Sequence, residues 1–207
     1  MRILITAGGT REYIDPVRFI SNASSGRMGY ALARAALKAG HKVALISASD
    51  LQPPVGVDFV SVESAEDMFN AVKKLFPRCD CLIMAAAVAD YTPARPSKTK
   101  IKRTNKPITI KLKPTSDILK WAGKYKNSKF RQRQLVVGFA LEDKNIRRNA
   151  ENKLREKNLD MIVANSPAAI GSDKSDVLIK TASSGWIKIA NVDKVVSAGK
   201  IIRMLEN

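Results

Sequence analysis

Strands that are apolar almost throughout, with helical segments between them, leave this chain few folds to choose from. Arg2–Ala7 reads Arg-Ile-Leu-Ile-Thr-Ala, and residues 79–87 read Cys-Asp-Cys-Leu-Ile-Met-Ala-Ala-Ala. Neither keeps the alternation of a strand with one wet face. Such strands are buried on both sides, and parallel neighbours need a crossover connection, usually a helix. Lys42–Ser47 and residues 58–62 read as two further strands. Between Ala7 and Lys42, Met28, Leu32, Ala35, Ala36 and Ala39 recur at helical spacing, and Gly40 suits the end of that helix. Ser64 and Asp67 predict a capped helix start, with Glu66 in the first turn, and Pro77 ends that helix after about Phe76. The fold class expected is α/β: a Rossmann-like, mostly parallel sheet with helices on both faces.

After Asp90 the pattern changes. Lys100-Ile-Lys-Arg103 and Ile108-Thr-Ile-Lys-Leu112 alternate apolar and polar across Thr104-Asn-Lys-Pro107, which predicts an antiparallel two-stranded arm over about residues 91–113. A lone ribbon of two strands is marginal in water, so the arm packs on its own domain or on a second subunit. The sheet then resumes. Ser116 is expected to cap a helix running to about Tyr125, followed by a strand over 134–138, a helix from Asn145 to about Lys157 and a strand over 160–165. Residues 177–180 and 186–190 predict a hairpin across Ser183-Ser184-Gly185, and a last helix starts at Asp193 or Lys194. All 207 residues read as one domain.

Composition excludes several roles. No apolar run is long enough for a membrane helix, and no basic-then-apolar leader precedes the first strand, so a cytoplasmic protein with no membrane partner is expected. The net charge of +17 favours anionic partners. The basic residues are spread along the chain, thickening between Lys98 and Lys113 and between Lys120 and Arg133, and no nucleic-acid module is visible. A solvated basic face is therefore expected, with no nucleic-acid partner. Cys79 and Cys81 are the only cysteines and read as packed thiols, because no further Cys or nearby His completes a ligand set. His41, the single histidine, follows Gly40 in a connecting loop and is expected at the surface.

The residues that carry chemistry lie at the carboxyl ends of the predicted strands, where open parallel sheets bind ligands. Gly8 and Gly9 follow the first strand. Ser24, Ser25 and Gly26 then open the first helix, whose unpaired N–H groups and dipole attract phosphate, and Gly29 allows close helix–sheet packing. These two clusters are split by a long polar loop, so neither G-x-G-x-x-G nor G-x-x-x-x-G-K-[ST] is present. That disfavours a nicotinamide dehydrogenase and a standard triphosphatase. Ala85-Ala-Ala-Val-Ala-Asp90 leaves room for a ligand ring, with Asp90 suited to a base, a ribose or a metal. Lys100 and Lys102 share one face of the predicted arm, and Lys153 and Lys157, four apart on a helix, can converge on one anion near Asn165.

Together these segments resemble the phosphopantothenate–cysteine ligase family, the synthetase half of a bacterial bifunctional coenzyme A biosynthesis protein. The resemblance rests on Thr6-Ala-Gly-Gly-Thr-Arg-Glu12, Ile14-Asp-Pro-Val-Arg-Phe-Ile-Ser-Asn22, Ser24-Ser-Gly-Arg-Met-Gly29, Ala85 through Asp90, Lys100-Ile-Lys-Arg103, Val137-Gly-Phe-Ala-Leu-Glu142 and Lys153 through Asp160 to Asn165, in that order. It implies a nucleotide-dependent ligase. CTP activates the carboxylate of 4′-phosphopantothenate as an acyl-cytidylate, with Mg²⁺ (or Mn²⁺), and cysteine displaces the nucleotide. It further implies that Asn22 binds the acyl group with Arg18 supporting it, and that Gly8, Gly9, Thr10, Ser24, Ser25 and Gly26 hold phosphates. Ala86 and Asp90 contact the base and sugar end. Lys100 reaches in from the arm. Thr115, Ser116 and Phe139 line the nucleotide pocket, and Lys153 and Lys157 hold the distal phosphates. A homodimer joined through the arm and a separate decarboxylase are also implied. The alternative in another enzyme class is an NAD(P)-dependent Rossmann-type reductase, which the split glycine pattern argues against.

Overall fold

The computed structural model describes residues 1–126, 134–169, 171, 172 and 174–206. In chain order it has β1 (Arg2–Ala7), β2 (Arg11–Tyr13), β3 (Phe19–Ser21), α1 (Arg27–Lys38), β4 (Lys42–Ser47), β5 (Asp58–Ser61) and α2 (Ala65–Leu75). There follow β6 (Cys81–Met84), β7 (Tyr91–Pro93), β8 (Leu112–Pro114), α3 (Ile118–Tyr125), β9 (Leu135–Leu141) and α4 (Ile146–Glu156). The chain closes with β10 (Met161–Asn165), β11 (Lys174–Thr181), β12 (Ile187–Asp193) and α5 (Lys194–Met204).

The eight-stranded sheet has the order β12-β11-β10-β9-β6-β1-β4-β5, parallel from β5 to β10 and antiparallel at the β11 and β12 edge. The expected α/β architecture is therefore observed. The apolar runs have a direct cause. Alternate β1 residues face opposite sides: Ile3 and Ile5 pack with Leu32, Ala36, Ile201 and Ile202 from α1 and α5, while Leu4 packs with Met68, Val72, Leu119 and Leu154 from α2, α3 and α4. Ile3, Leu4, Ile5, Leu45, Ile46, Leu82 and Ile83 are each no more than 1% exposed. Each such side chain contributes about 1.5–3 kcal/mol by leaving water. Among the described residues no helix is long and apolar enough to cross a membrane.

Locally encoded features match expectation. At α2, Asp67 N–H donates to Ser64 Oγ (3.1 Å) and Ser64 N–H donates to Asp67 Oδ2 (3.0 Å), a closed capping box. Five features differ. The α3 cap is Asp117, whose Oδ1 accepts from Lys120 N–H at 2.9 Å, rather than Ser116. The strand expected over 79–87 stops at Met84, because the chain then turns to meet the loop after β1. A short β2–β3 hairpin fills what reads as a polar loop. The arm is the fourth. Residues 100–103 and 108–111 form no ladder; instead β7 pairs β8, with Tyr91 opposite Pro114, and Ala94 N–H reaches Lys111 O at 2.9 Å. The backbone of Ile101 is bonded to the β2–β3 connection instead of to a sister strand. His41 is also less exposed than expected: its ring is 9% exposed, set between the N-terminus and Glu206.

The two thiols are packed, as expected. Cys81 is buried and Cys79 half-buried, and Cys79 Sγ donates to Leu75 O at 3.3 Å. Burial, with the nearby Asp80 charge, pushes the Cys79 thiol up to about 11, and burial raises Cys81 as well. At pH 8 on the order of one Cys79 in a thousand is thiolate. An aromatic disulfide reagent is therefore expected to label neither cysteine quickly in the native protein and both on unfolding. A fast native phase at pH 8 would contradict this packing.

Candidate active site

β1 is followed in sequence by β4 on one side, whereas β6 returns to its other side. The loops after β1 and β6 therefore part at this switch point, where a crevice opens above the strand ends. Hydrogen bonds join the two loops beyond the sheet. Thr10 N–H donates to Ala87 O (3.3 Å), Ala87 N–H to Gly8 O (2.8 Å), Ala89 N–H to Thr10 Oγ1 (2.9 Å) and Ala86 N–H to Thr6 Oγ1 (3.2 Å). The cavity above this floor measures about 670 Å³, within the range of small-molecule sites.

Its first wall is the approach to α1. Asn22, Ser24, Ser25 and Gly26 line it, as do Arg27, Met28 and Gly29 of the first helical turn. Gly26 is the helix cap and takes the left-handed conformation (φ 78°), which a residue with a side chain rarely adopts. No side chain caps this helix and its first turn holds no acid, in contrast to α2. Its first N–H groups have no partner within the helix, so the wall is built to take an anion. Both amide hydrogens of Asn22 are engaged: Nδ2 donates to Ala87 O and to Val88 O, each at 3.2 Å. Two carbonyls can only accept, so the amide nitrogen must face them. Asn22 thus turns its amide oxygen, an acceptor, away from these carbonyls.

The second wall carries Ala86, Asp90, Thr115 and Ser116. Thr115 is a tie: its Oγ1 donates to Ala89 O (2.6 Å) and its N–H to Asp90 O (2.9 Å). The third wall holds Phe139, Lys153, Lys157, Asn165 and Lys194. Lys153 Nζ donates to Phe139 O at 2.8 Å. Burial lowers the Lys153 ammonium from its ordinary range, Lys157 lowers it further, and Glu142, Asp117 and Asp90 only partly offset this. Lys157 Nζ sits 3.1 Å from Asp117 Oδ2. Burial raises the Asp117 carboxyl, but the Lys120 N–H and the Lys157 ammonium outweigh it and hold it low. The cavity is lined by four cations, Arg27, Lys153, Lys157 and Lys194, against the two carboxylates Asp90 and Asp117. That balance suits a polyanion.

Not every predicted residue lies here. Gly8, Gly9, Thr10, Arg18 and Lys100 are outside the lining. The glycine turn is packed, not open: a Cβ at Gly8 would meet Ser49 N at 2.7 Å, and one at Gly9 would meet Asn22 O at 2.5 Å. This leaves no pyrophosphate cradle of the dinucleotide type, and Asp50, in the loop after β4, is paired with Arg11 at 2.6 Å. A Tyr-x-x-x-Lys spacing does occur, at Tyr125 and Lys129, but Tyr125 stacks on Trp121 and Lys129 lies outside the described residues. Lys100 is exposed on the arm. Arg27, Asp117 and Lys194 were not anticipated. Asp117 was legible as a cap three residues before Lys120, whereas Lys194 reaches the cavity only because α5 folds back over the sheet.

The geometry defines an α/β domain with a cationic ligand cavity at the switch point of a parallel sheet. The sequence model described as "DNA/pantothenate metabolism flavoprotein C-terminal domain" matches residues 1–207, and the chain belongs to that family. It is 47% identical over 172 residues to the coenzyme A biosynthesis bifunctional protein CoaBC of Bacillus subtilis (strain 168), covering 82% of this chain and 41% of the relative. It is 44% identical over 210 residues to a cysteine/cysteine sulfinic acid decarboxylase of an unknown prokaryotic organism, covering 99% and 57%. The chain thus spans about half the length of the curated relatives it matches. A crystal structure of the C-terminal domain of a CoaBC protein superposes with TM-score 0.83 at 41% identity, over 99% of this chain and 93% of that one. A Cab2 mutant, H337A, in complex with phosphopantothenate-cysteine shares the fold at TM-score 0.77 and 15% identity, over 99% and 88%.

Asp117 and Lys157 are brought together by a close crossing of α3 over the end of α4. A Cβ at Gly123 would lie 1.8 Å from Lys157 O, and Asn158 Nδ2 donates to Gly123 O at 2.9 Å. Gly123→Ala is expected to destabilise the fold by about 1–3 kcal/mol. Thermal unfolding reads this as about 2–4 °C in Tm for each kcal/mol in a chain of this size. An unchanged Tm would mean that α3 does not pack on this backbone.

Proposed function

We propose that the chain ligates cysteine to 4′-phosphopantothenate with CTP as the activating nucleotide. The observation that carries this reading is the single cavity combining an uncapped helix start, the small-residue loop at Ala86 to Asp90, and the paired lysines Lys153 and Lys157. The 44–47% identity to relatives of which the CoaBC proteins are named for coenzyme A biosynthesis supports it.

In the first step a carboxylate oxygen of phosphopantothenate attacks the α-phosphorus of CTP, and pyrophosphate leaves. In the second the cysteine amine attacks the acyl carbon, CMP leaves, and the amine proton passes to solvent. The chain's part is placement and charge. The α1 N–H groups and Ser24, Ser25 and Gly26 take phosphate oxygens. Ala86, Asp90, Thr115, Ser116 and Phe139 enclose the nucleoside. Lys153 and Lys157 offset charge on the phosphates, which in a water-poor cleft is worth more than in bulk. Asn22, with its donors spent on Ala87 and Val88, presents its oxygen to an N–H of the incoming amine and so orients the attack. Among the described residues no group of three His, Cys, Asp or Glu side chains is placed to hold a metal. On this reading Mg²⁺ or Mn²⁺ enters with the triphosphate, whose own oxygens supply ligands.

Lys100 lies outside the cavity lining of its own chain. Val17, Phe19, Ile20, Tyr91, Ile108 and Leu112 are exposed apolar residues of the β2–β3 and arm region. A homodimer that covers them would carry the arm of one copy to the cavity of the other.

The reaction is tested with purified protein, CTP, Mg²⁺, phosphopantothenate and cysteine. Pyrophosphate release and the amide product are expected, and absence of both with CTP and with ATP removes the reading. Asn22→Asp is expected to release pyrophosphate yet form amide at least about 100-fold more slowly, since misorientation at this step is costly. Normal amide formation would exclude the role given to Asn22. Mixing Asn22→Asp chains with Lys100→Gln chains, each slow in amide formation when alone but not silent, is expected to restore about one quarter of the wild-type rate if the arm acts across a two-fold dimer. No recovery in mixed dimers would place Lys100 in its own chain's site.

A further inference from the structure

Asp15 is a buried carboxylate with no part in the steps above, and its side chain is fully shielded from solvent. Its Oδ1 accepts from Val17 N–H (2.8 Å) and Arg18 N–H (2.9 Å), which closes the β2–β3 connection. Its Oδ2 accepts from the Arg18 guanidinium (2.9 Å) and from Ile101 N–H (3.1 Å), far along the chain in the arm. Arg18 Nη2 in turn donates to Ile101 O. One residue of the arm, Ile101, is thus held at both of its backbone polar groups, N–H by Asp15 and C=O by Arg18. A second point is fixed nearby, where Ser97 N–H donates to Ile14 O at 2.8 Å. Lys100 sits between these two anchors, exposed, in a stretch with no ladder of its own.

Such a device has a reason to exist. A segment without ladder hydrogen bonds samples many backbone states, and a lysine on it would be held only by chance. Burial works against the Asp15 charge, but the N–H groups of Val17, Ile101 and Arg18 and the Arg18 charge hold its carboxyl below the usual range. The Asp15 carboxyl is therefore ionised at neutral pH. The planar fork of Arg18 suits two acceptors at once, one carboxylate and one carbonyl. The same connection leads through β3 directly into Asn22, so one hairpin joins the cavity wall to the root of the arm.

We infer that Asp15 and Arg18 are positioning residues: they clamp the peptide of Ile101 and thereby set where Lys100 is delivered for nucleotide activation. This assigns Arg18 to the arm, and not to direct contact with the acyl group. The inference rests on the ligase reading for what Lys100 does, and on the geometry alone for the clamp.

The test is a double-mutant cycle on pyrophosphate release, with amide exchange at Ile101 as a second readout. Asp15→Asn is expected to lower kcat by about 10–100-fold with the KM for cysteine unchanged, as displacement of a charged group by an ångström does. Arg18→Gln, which removes the guanidinium hold on Ile101 O and leaves the arm's own sequence unchanged, is expected to do the same if Asp15→Asn proves too unstable to assay. In a Lys100→Gln background neither change is expected to slow the reaction further by more than about twofold, because the effect passes through Lys100. Arg18→Lys is expected to recover only part of the rate. Multiplicative losses in the Lys100→Gln background, or wild-type kcat in Asp15→Asn, would overturn the inference. If the wild-type chain releases no pyrophosphate at all, the ligase reading fails, and exchange decides the clamp separately: faster exchange of the Ile101 amide in Asp15→Asn upholds it, and equal rates in both proteins reject it.

Discussion

The hydrogen bonding of the β1 and β6 loops to each other, after both strands have left the ladder, underlies the site. Within the sheet, β1 pairs β6 from Ile3 to Thr6. Beyond it the pairing continues irregularly through Gly8, Gly9, Thr10, Ala86, Ala87 and Ala89. Asn22 adds two more bonds to the same carbonyl edge. The crevice that a switch point opens is thereby given a rigid polar floor, and the chain carries it with small residues because a larger side chain has no room. A Cβ at Gly9 would strike Asn22 O at 2.5 Å, displacing the residue that closes the floor. The glycines after β1 lie outside the cavity lining and act through packing: they shape the floor beneath it.

How much of this was legible follows the range of each interaction. The α2 capping box was readable because Ser64 and Asp67 are three apart and satisfy each other. The buried parallel sheet was readable because strands packed on both faces must be apolar throughout. The arm was misread for the complementary reason. Its alternation of Lys100, Ile101, Lys102 and Arg103 is a true strand-like pattern, yet the groups that satisfy Ile101 lie on Asp15 and Arg18, a long way off in sequence. No local rule reports such a partner. Likewise Ser116 was read as the cap, whereas Asp117 caps α3 and also meets the Lys157 ammonium, a partner from α4 that no local rule supplies. Asn22 illustrates a finer limit. Its position in the site was readable, but the direction of its amide was not, since only the neighbouring carbonyls of Ala87 and Val88 decide it.

The charge of +17 acquires a partial account from the cavity. Arg27, Lys153, Lys157 and Lys194 come from α1, from the end of α4 and from the start of α5, and they meet only two carboxylates. Their convergence is unfavourable without a ligand, and Lys153 shows it: burial and the neighbouring Lys157 both act to drive its proton off. The sign is definite. A lysine whose folded-state affinity for protons is lowered takes stability away while it remains charged, and returns it as pH rises through its folded value or as an anion arrives. A bound polyanion acts on Lys153 in the opposite sense, favouring its charged form. Binding therefore releases strain already present in the fold, and ligand and fold stability are linked by mass action. A cavity whose lining carries four cations against two carboxylates favours a ligand of net negative charge.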